Sequence, residues 1–334
     1  MKVGFFFWPY TPELCQQLAQ RADRYGYAMI GIADTPGNAM DPWVSAAIVA
    51  LASRRARIAL CVTNLLTRHP AVSAAAIASL DQVSNGRALL GIGAGHSGTR
   101  NVGLAKSNAK ELGEGVTFIK TLLAGQPATL GTAAAHLPWV KRASPVFLAA
   151  SHPRTLEAAG RTADGAFVNF GLSAENIQAS QAHIRKGAAD AGRSPEDVEI
   201  WQIAALDCSE EREVACGKVG AMLAFLAGYV IGDKHLETRG VPAHLHAPLL
   251  ELRRRYSTRP GATDIRLVRE LGLFDYLSQR LSICGDPDDC LAQARAAKAA
   301  GVERLMLTVS LASDPVRTVD LFGEHVLPKL ANGG

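Results

Sequence analysis

Short apolar runs recur along this chain between amphipathic stretches of helical period, and that alternation limits what it can fold into. A run buried on both faces suits a strand of a parallel sheet, and each parallel neighbour needs a helix to carry the chain back. The strand candidates are Lys2–Phe7, Met29–Ala33, Ile58–Val62, Ala88–Gly93, Pro145–Ala149, Gly165–Asn169, Glu199–Leu206 and Arg304–Val309. Between them the helix candidates are Pro12–Tyr25, Pro42–Ser53, Ala71–Ser84, Ala109–Ala124, Arg154–Thr162 and Ala174–Ala191, with Pro315–Lys329 at the end. Pro12, Pro70 and Pro315 stand in first turns, where a missing amide hydrogen costs nothing. Gly86, Gly192 and Gly301 punctuate the ends. Eight such units predict an α/β fold, a (β/α)8 TIM barrel.

One stretch breaks the rhythm. After the seventh strand, residues 208–302 carry helical spacing at Ala221–Tyr229, Pro248–Tyr256 and Thr263–Leu271, and then the amphipathic run Asp286–Ala300. The expectation is a helical insertion between strands 7 and 8, on the carboxyl-terminal face where barrel active sites form. It reads equally as a lid over a substrate or as a dimer interface. Residues 1–334 are expected to form a single domain.

Composition narrows the function. Apolar residues make up 48% of the 334 and charged residues 20%, enough for a large core and against disorder. The net charge is only +4 and the basic residues are scattered, apart from Arg253, Arg254 and Arg255, so nucleic acid is not an expected partner. The opening MKVGFFFWPYTPE reads as a strand, not a signal peptide. The apolar segment around Ala221 to Ile231 falls short of the about 20 residues that cross a bilayer, so no membrane association is expected. Six cysteines lie far apart in sequence with no CxxC pair. Neither a metal site nor a disulfide framework is indicated, and a cytoplasmic location is expected.

Three stretches together carry a resemblance: CVTNLLTRHPAVSAAAIASLDQVSNGRALLGIGAG from Cys61, AASHPRTLEAAGRTADGAFVN from Ala149, and ICGDPDDCLAQARAAKAAGVERL from Ile283. They resemble the bacterial luciferase-like family, most closely its methylenetetrahydromethanopterin reductase branch, which uses coenzyme F420. The similarity runs nearly end to end and is weakest in Gln126–Ala143 and in the insertion. It implies an oxidoreductase that binds FMN or F420 in the mouth of the barrel. It also implies a homodimer, a small-molecule substrate and, for an FMN enzyme, a separate flavin reductase as partner.

Read as chemistry, Ser84–Arg87 is a turn into the fourth strand at the stability end of the barrel. Gly91, Gly93 and Gly95 leave that strand at its other end, and bare backbone there suits the close approach of a flat ring. Their spacing satisfies neither the dinucleotide fingerprint nor the P-loop. Ala150, Ser151, His152, Pro153 and Arg154 join a strand to a helix start, where amides, a hydroxyl and a guanidinium make an anion site. The resemblance places a cofactor phosphate in this part of the barrel, with Asn169 and Gly171 completing it. It also places a bulge with a non-proline cis peptide at Cys61–Val62, behind the cofactor's middle ring, with Thr63 and Asn64 toward the ring edge. Cys61 itself reads as buried packing and not as a reactive thiol.

Asp34 ends the second strand and His96 follows the glycines of the fourth, so the two are the candidate catalytic groups, proton managers over a redox ring. The bland alternatives are a turn cap for Asp34 and a surface loop residue for His96. F420-using relatives typically carry an acid at the position of His96 and a Glu at that of Phe6. These departures point away from methanopterin reduction itself and toward an apolar substrate site bounded by Phe6, Trp8 and Phe170. The expected reaction is hydride transfer between reduced cofactor and a small organic substrate. The alternatives are an FMN monooxygenase using dioxygen and a non-catalytic flavin-binding protein.

Overall fold

The computed structural model describes residues 1–231, 236–256 and 266–331. Its strands are β1 (Lys2–Phe7), β2 (Met29–Ile32), β3 (Arg57–Asn64), β4 (Ala88–Gly93), β5 (Ala128–Leu130), β6 (Ala133–Ala135), β7 (Val146–Ala150), β8 (Gly165–Val168), β9 (Glu199–Cys208), β10 (Ser282–Gly285) and β11 (Arg304–Thr308). In the main sheet β9, β11, β1, β2, β3, β4, β7 and β8 follow one another, and β8 pairs again with β9. The fold is therefore a closed parallel (β/α)8 barrel. Its eight strands are the eight expected from the apolar runs, each within two residues at its ends.

Two strand pairs that the sequence reading lacked lie outside this ring. β5 and β6 form an antiparallel hairpin, and β10 runs parallel to β9, Ser282 facing Ala205 and Gly285 facing Cys208. The last helix also differs from expectation, since Pro315–His325 and Leu327–Ala331 are separate helices. Pro328 has no amide hydrogen to give to the preceding turn, which is where the helix breaks. Of the expected helix Thr263–Leu271, residues 263–265 lie outside the described residues, and Leu267–Glu270 is helical.

By contact density the chain falls into two compact units, one of Phe6–Phe167 and Gln181–Ile200, the other of Met1–Phe5, Val168–Ser180 and Trp201–Gly334. In the first, helices begin on side-chain caps. Thr11 accepts from the Leu14 amide, Asp41 from Trp43 and Val44, and Asn108 exchanges bonds with Glu111. Arg87 locks the amino-terminal side of β4. Its guanidinium donates to the carbonyls of Ala50 (3.1 Å), Ser53 (2.8 Å), Ala56 (2.8 Å) and Ser84 (2.8 Å). It thus gathers the end of helix Pro42–Ala52 and the turn where Asn85 and Gly86 both take left-handed backbone angles. Arg87→Ala should lower the unfolding free energy by about 2–3 kcal/mol, because buried carbonyls lose a charged donor. A denaturant midpoint shift with unchanged slope would show it, and an unshifted midpoint would contradict it.

In the second unit the insertion leaves the carboxyl-terminal end of β9 and has its own core. Helices Arg212–Val230, His246–Arg255 and Phe274–Leu281 bury Leu223, Leu252 and Leu277 against Ala205 and Cys284. Helix Pro287–Ala299, capped by Asp286, then leads into β11.

Candidate active site

The site is built where β2 and β3 end. β3 carries a bulge, because Leu60 faces Leu90 while Thr63 faces Ile92, three residues advancing against two. The Cys61–Val62 peptide within it is cis. Ile32 pairs with Leu60, so Asp34 stands beside the far side of the bulge, and Thr63 Oγ1 donates to Asp34 Oδ2 at 2.6 Å. Burial pushes the Asp34 carboxyl above its ordinary range, against the Thr63 bond and the charge of Arg68, with Asp41 adding to the rise. A half-buried carboxyl of this kind can hold a proton nearer neutrality than an exposed one. Burial likewise pushes the Cys61 thiol well up, as expected of a packing residue.

Around Asp34 stand groups that motif reading passed over. Arg68 pairs with Asp41 at 2.8 Å and lies over the Trp43 ring at 5.7 Å. The Trp43 Nε1 is buried without a hydrogen-bond partner among the described residues. Spacing could not have shown this group, because Asp41 and Trp43 open one helix while Arg68 precedes another.

His96 precedes the short helix Ser97–Arg100, which lies across the ends of β2 and β3. Thr35 Oγ1 and Ser97 Oγ are 3.3 Å apart, and Asn101 Nδ2 donates to the Pro36 carbonyl at 3.1 Å. Gly98 lies so close to the Asp34 carbonyl that an added Cβ would stand 2.9 Å from it. The half-buried His96 therefore belongs to the segment that covers Asp34. Asn64 is spoken for in part, its Oδ1 accepting from the amides of Leu66 (2.9 Å) and Thr67 (2.8 Å).

Each of the three glycines that leave β4 is hemmed in by a neighbouring side chain. Cβ atoms at Gly91 and Gly93 would meet the two Val62 methyls at 2.9 and 2.7 Å, and one at Gly95 would meet Thr99 Cγ2 at 2.3 Å. They make room for the bulge and for the covering helix. At the expected anion site, His152 caps helix Pro153–Thr162, its Nδ1 accepting from the Arg154 amide at 3.3 Å. One helix-start amide is thus already bonded. Ser151 is half-buried and Ala150 buried beside it. The exposed Arg154 lines a groove of 960 Å³ between helix Ala109–Leu123, helix Pro153–Thr162 and the β5–β6 hairpin, none of whose lining residues surrounds Asp34.

Phe6 is half-buried in β1, and Trp8 meets Tyr10 edge-on at 6.3 Å. In the other unit Asn169 is buried, and its Oδ1 has no partner among the described residues. Phe170 is buried beside it, and its carbonyl accepts from Arg280 Nη2 at 3.0 Å. Gly171, at φ +128°, lies against Asn176 and Arg280 with no room for a Cβ. Among the described residues no three His, Cys, Asp or Glu side chains converge on a metal position, and no helix is long and apolar enough to cross a membrane.

The sequence matches the family model for luciferase-like monooxygenases over residues 11–304, and the chain belongs to that family. It is 26% identical over 337 residues to the 5,10-methylenetetrahydromethanopterin reductase of Methanolobus tindarius, covering 98% of this chain and 100% of that one. It is also 26% identical over 345 residues to the F420-dependent glucose-6-phosphate dehydrogenase of Amycolatopsis mediterranei, 96% and 95% being covered. The coenzyme F420-dependent tetrahydromethanopterin reductase of Methanopyrus kandleri shares the fold, with a TM-score of 0.80, 23% identity and 98% and 99% coverage.

Proposed function

We propose that the chain passes a hydride between a reduced flavin-type cofactor and a small organic substrate, with F420 as the cofactor to test before FMN. The observation that carries this is the Asp34 carboxyl, raised above its ordinary range by burial and bonded by Thr63 one residue beyond the Cys61–Val62 bulge. F420 is favoured because relatives similar to this chain over nearly its whole length bear F420-dependent activities in their names. The residues present fit such a group: Thr63, the Asn64 amide and the bulge provide a wall with few donors, and the buried Trp43 N–H still lacks an acceptor. When bound, the cofactor supplies the hydride. Asp34 holds or releases the accompanying proton, and His96 and Trp8 bound the substrate side.

Titrating the purified chain with F420 and with FMN tests this reading. Tight binding of F420 with no oxygen uptake supports it; oxygen consumption with reduced FMN would favour the monooxygenase alternative. Arg154 should contribute a phosphate contact of about 1.5–3 kcal/mol, so Arg154→Ala should weaken cofactor binding roughly 10- to 150-fold without unfolding the chain. Unchanged affinity would remove Arg154 from the cofactor site and leave it to the outer groove.

A further inference from the structure

Four of the six cysteines, distant in sequence, meet in the unit that holds the insertion. Cys208 ends β9, Cys216 lies in helix Arg212–Val230, Cys284 in β10 and Cys290 in helix Pro287–Ala299. Cys216 Sγ and Cys284 Sγ are 3.8 Å apart. Cys208 and Cys290 form a second, fully buried association, with Cys290 Sγ also 3.8 Å from the Gly285 carbonyl. Sulfurs gathered in this way could suggest a metal, but among the described residues no three such ligands converge. What the geometry offers instead is a pair.

That pair spans the insertion, since helix Arg212–Val230 opens it and β10 closes it. Cys216 is half-buried while Cys284 is 5% exposed, so Cys216 is the more open of the two to a small oxidant and Cys284 waits beside it. We infer that Cys216 and Cys284 form a modification site, a thiol pair that a hydroperoxide converts into an intramolecular disulfide tying helix Arg212–Val230 to β10. In the first step the Cys216 thiolate attacks one peroxide oxygen; the S–O bond forms, the O–O bond breaks and hydroxide leaves. In the second the Cys284 sulfur attacks Cys216; the S–S bond forms, the S–O bond breaks, and the departing hydroxide takes the Cys284 proton. Two thiols and one hydrogen peroxide thus become one disulfide and two waters. To bond, the sulfurs must approach from 3.8 Å to about 2.05 Å.

Burial, with the neighbouring Cys284 sulfur, pushes the Cys216 thiol up to about 11, while Arg212 lowers it and Asp289 raises it. Those two flanking charges pair with each other at 3.3 Å, and Arg269 Nη2 donates to the Cys216 carbonyl at 3.0 Å. The Cys216 thiol therefore keeps its proton near neutrality. Its oxidation should quicken about tenfold per pH unit below the thiol's own range, following the thiolate fraction.

The test treats the whole chain with hydrogen peroxide, traps remaining thiols by alkylation and maps the peptides by mass spectrometry. The expected result is a linked Cys216–Cys284 peptide, and a fall in free thiols from six to four. The Tm should rise by several degrees and return on adding dithiothreitol, because the bond closes a long loop. Cys216→Ser and Cys284→Ser should each abolish link and Tm rise, whereas Cys15→Ser should leave both. Should the buried Cys284→Ser fail to fold, the half-buried Cys216→Ser carries the comparison. A Cys216 that stays reduced, ends as a sulfinic or sulfonic acid, or leaves Cys284 linked to Cys290 overturns the inference.

Discussion

Asp34→Asn should lower kcat by about 10²–10⁴-fold, roughly 3–5 kcal/mol of barrier, while the affinity for cofactor stays within a few-fold of wild type. The split follows from position. Asp34 accepts from Thr63 and lies under the Gly98 segment, so Asn keeps the shape and one acceptor but loses the exchangeable proton. The pH dependence gives an independent check. Because burial raises the folded carboxyl, the limb of the rate profile set by Asp34 should lie above the ordinary carboxylate range. The Thr63 bond works against that rise by favouring the charged form, so Thr63→Val should move the limb to still higher pH. Asp34→Asn should abolish it. A variant with wild-type rate and profile would assign the proton to His96, to water or to the substrate, and would reduce Asp34 to a turn residue.

How much of this was legible in the sequence depended on whether a signal was local. The barrel strands were, because burial on both faces leaves continuous apolar runs such as Ile58–Leu60 and Leu89–Leu90. β10 was not, since Ser, Ile, Cys and Gly between two helices carry no strand pattern, and only pairing with Ala205–Cys208 makes them one. The β5–β6 hairpin is three residues a side and largely alanine, too short for period to register. At the site the types Asp34, Thr63 and His96 could be picked out, whereas their partnership could not. The Asp34–Thr63 bond depends on the β2–β3 register and on the extra residue of the bulge. Asp41, Arg68 and Trp43 come together only once two helices have docked. The cysteine cluster was invisible for the same reason, its four members being joined by strand pairing and helix packing and not by spacing.

Gly91→Ala and Gly93→Ala should separate what the fold needs of the bulge from what a ligand needs of it. A Cβ on Gly91 would stand 2.3 Å from the Leu60 carbonyl and 2.9 Å from both Phe167 and Val62. The carbonyl belongs to the β3 backbone and cannot step aside without breaking the β3–β4 register. Overpacking of this kind costs about 1–3 kcal/mol where side chains can adjust and more where backbone must move, so Gly91→Ala should lose about 3 kcal/mol or more. At Gly93 the close contact is with Val62 Cγ2 at 2.7 Å, and the next neighbours are at 3.6 and 3.8 Å. Val62 is half-buried and its side chain can rotate, so the stability loss should be about 1–2 kcal/mol. On the proposed reading the displaced valine belongs to the cofactor wall, so Gly93→Ala should weaken cofactor binding by more than its stability loss suggests. Denaturation and cofactor titration of the two variants side by side would read both effects. Equal stability losses, or full affinity in Gly93→Ala, would mean that Val62 does not form the cofactor wall.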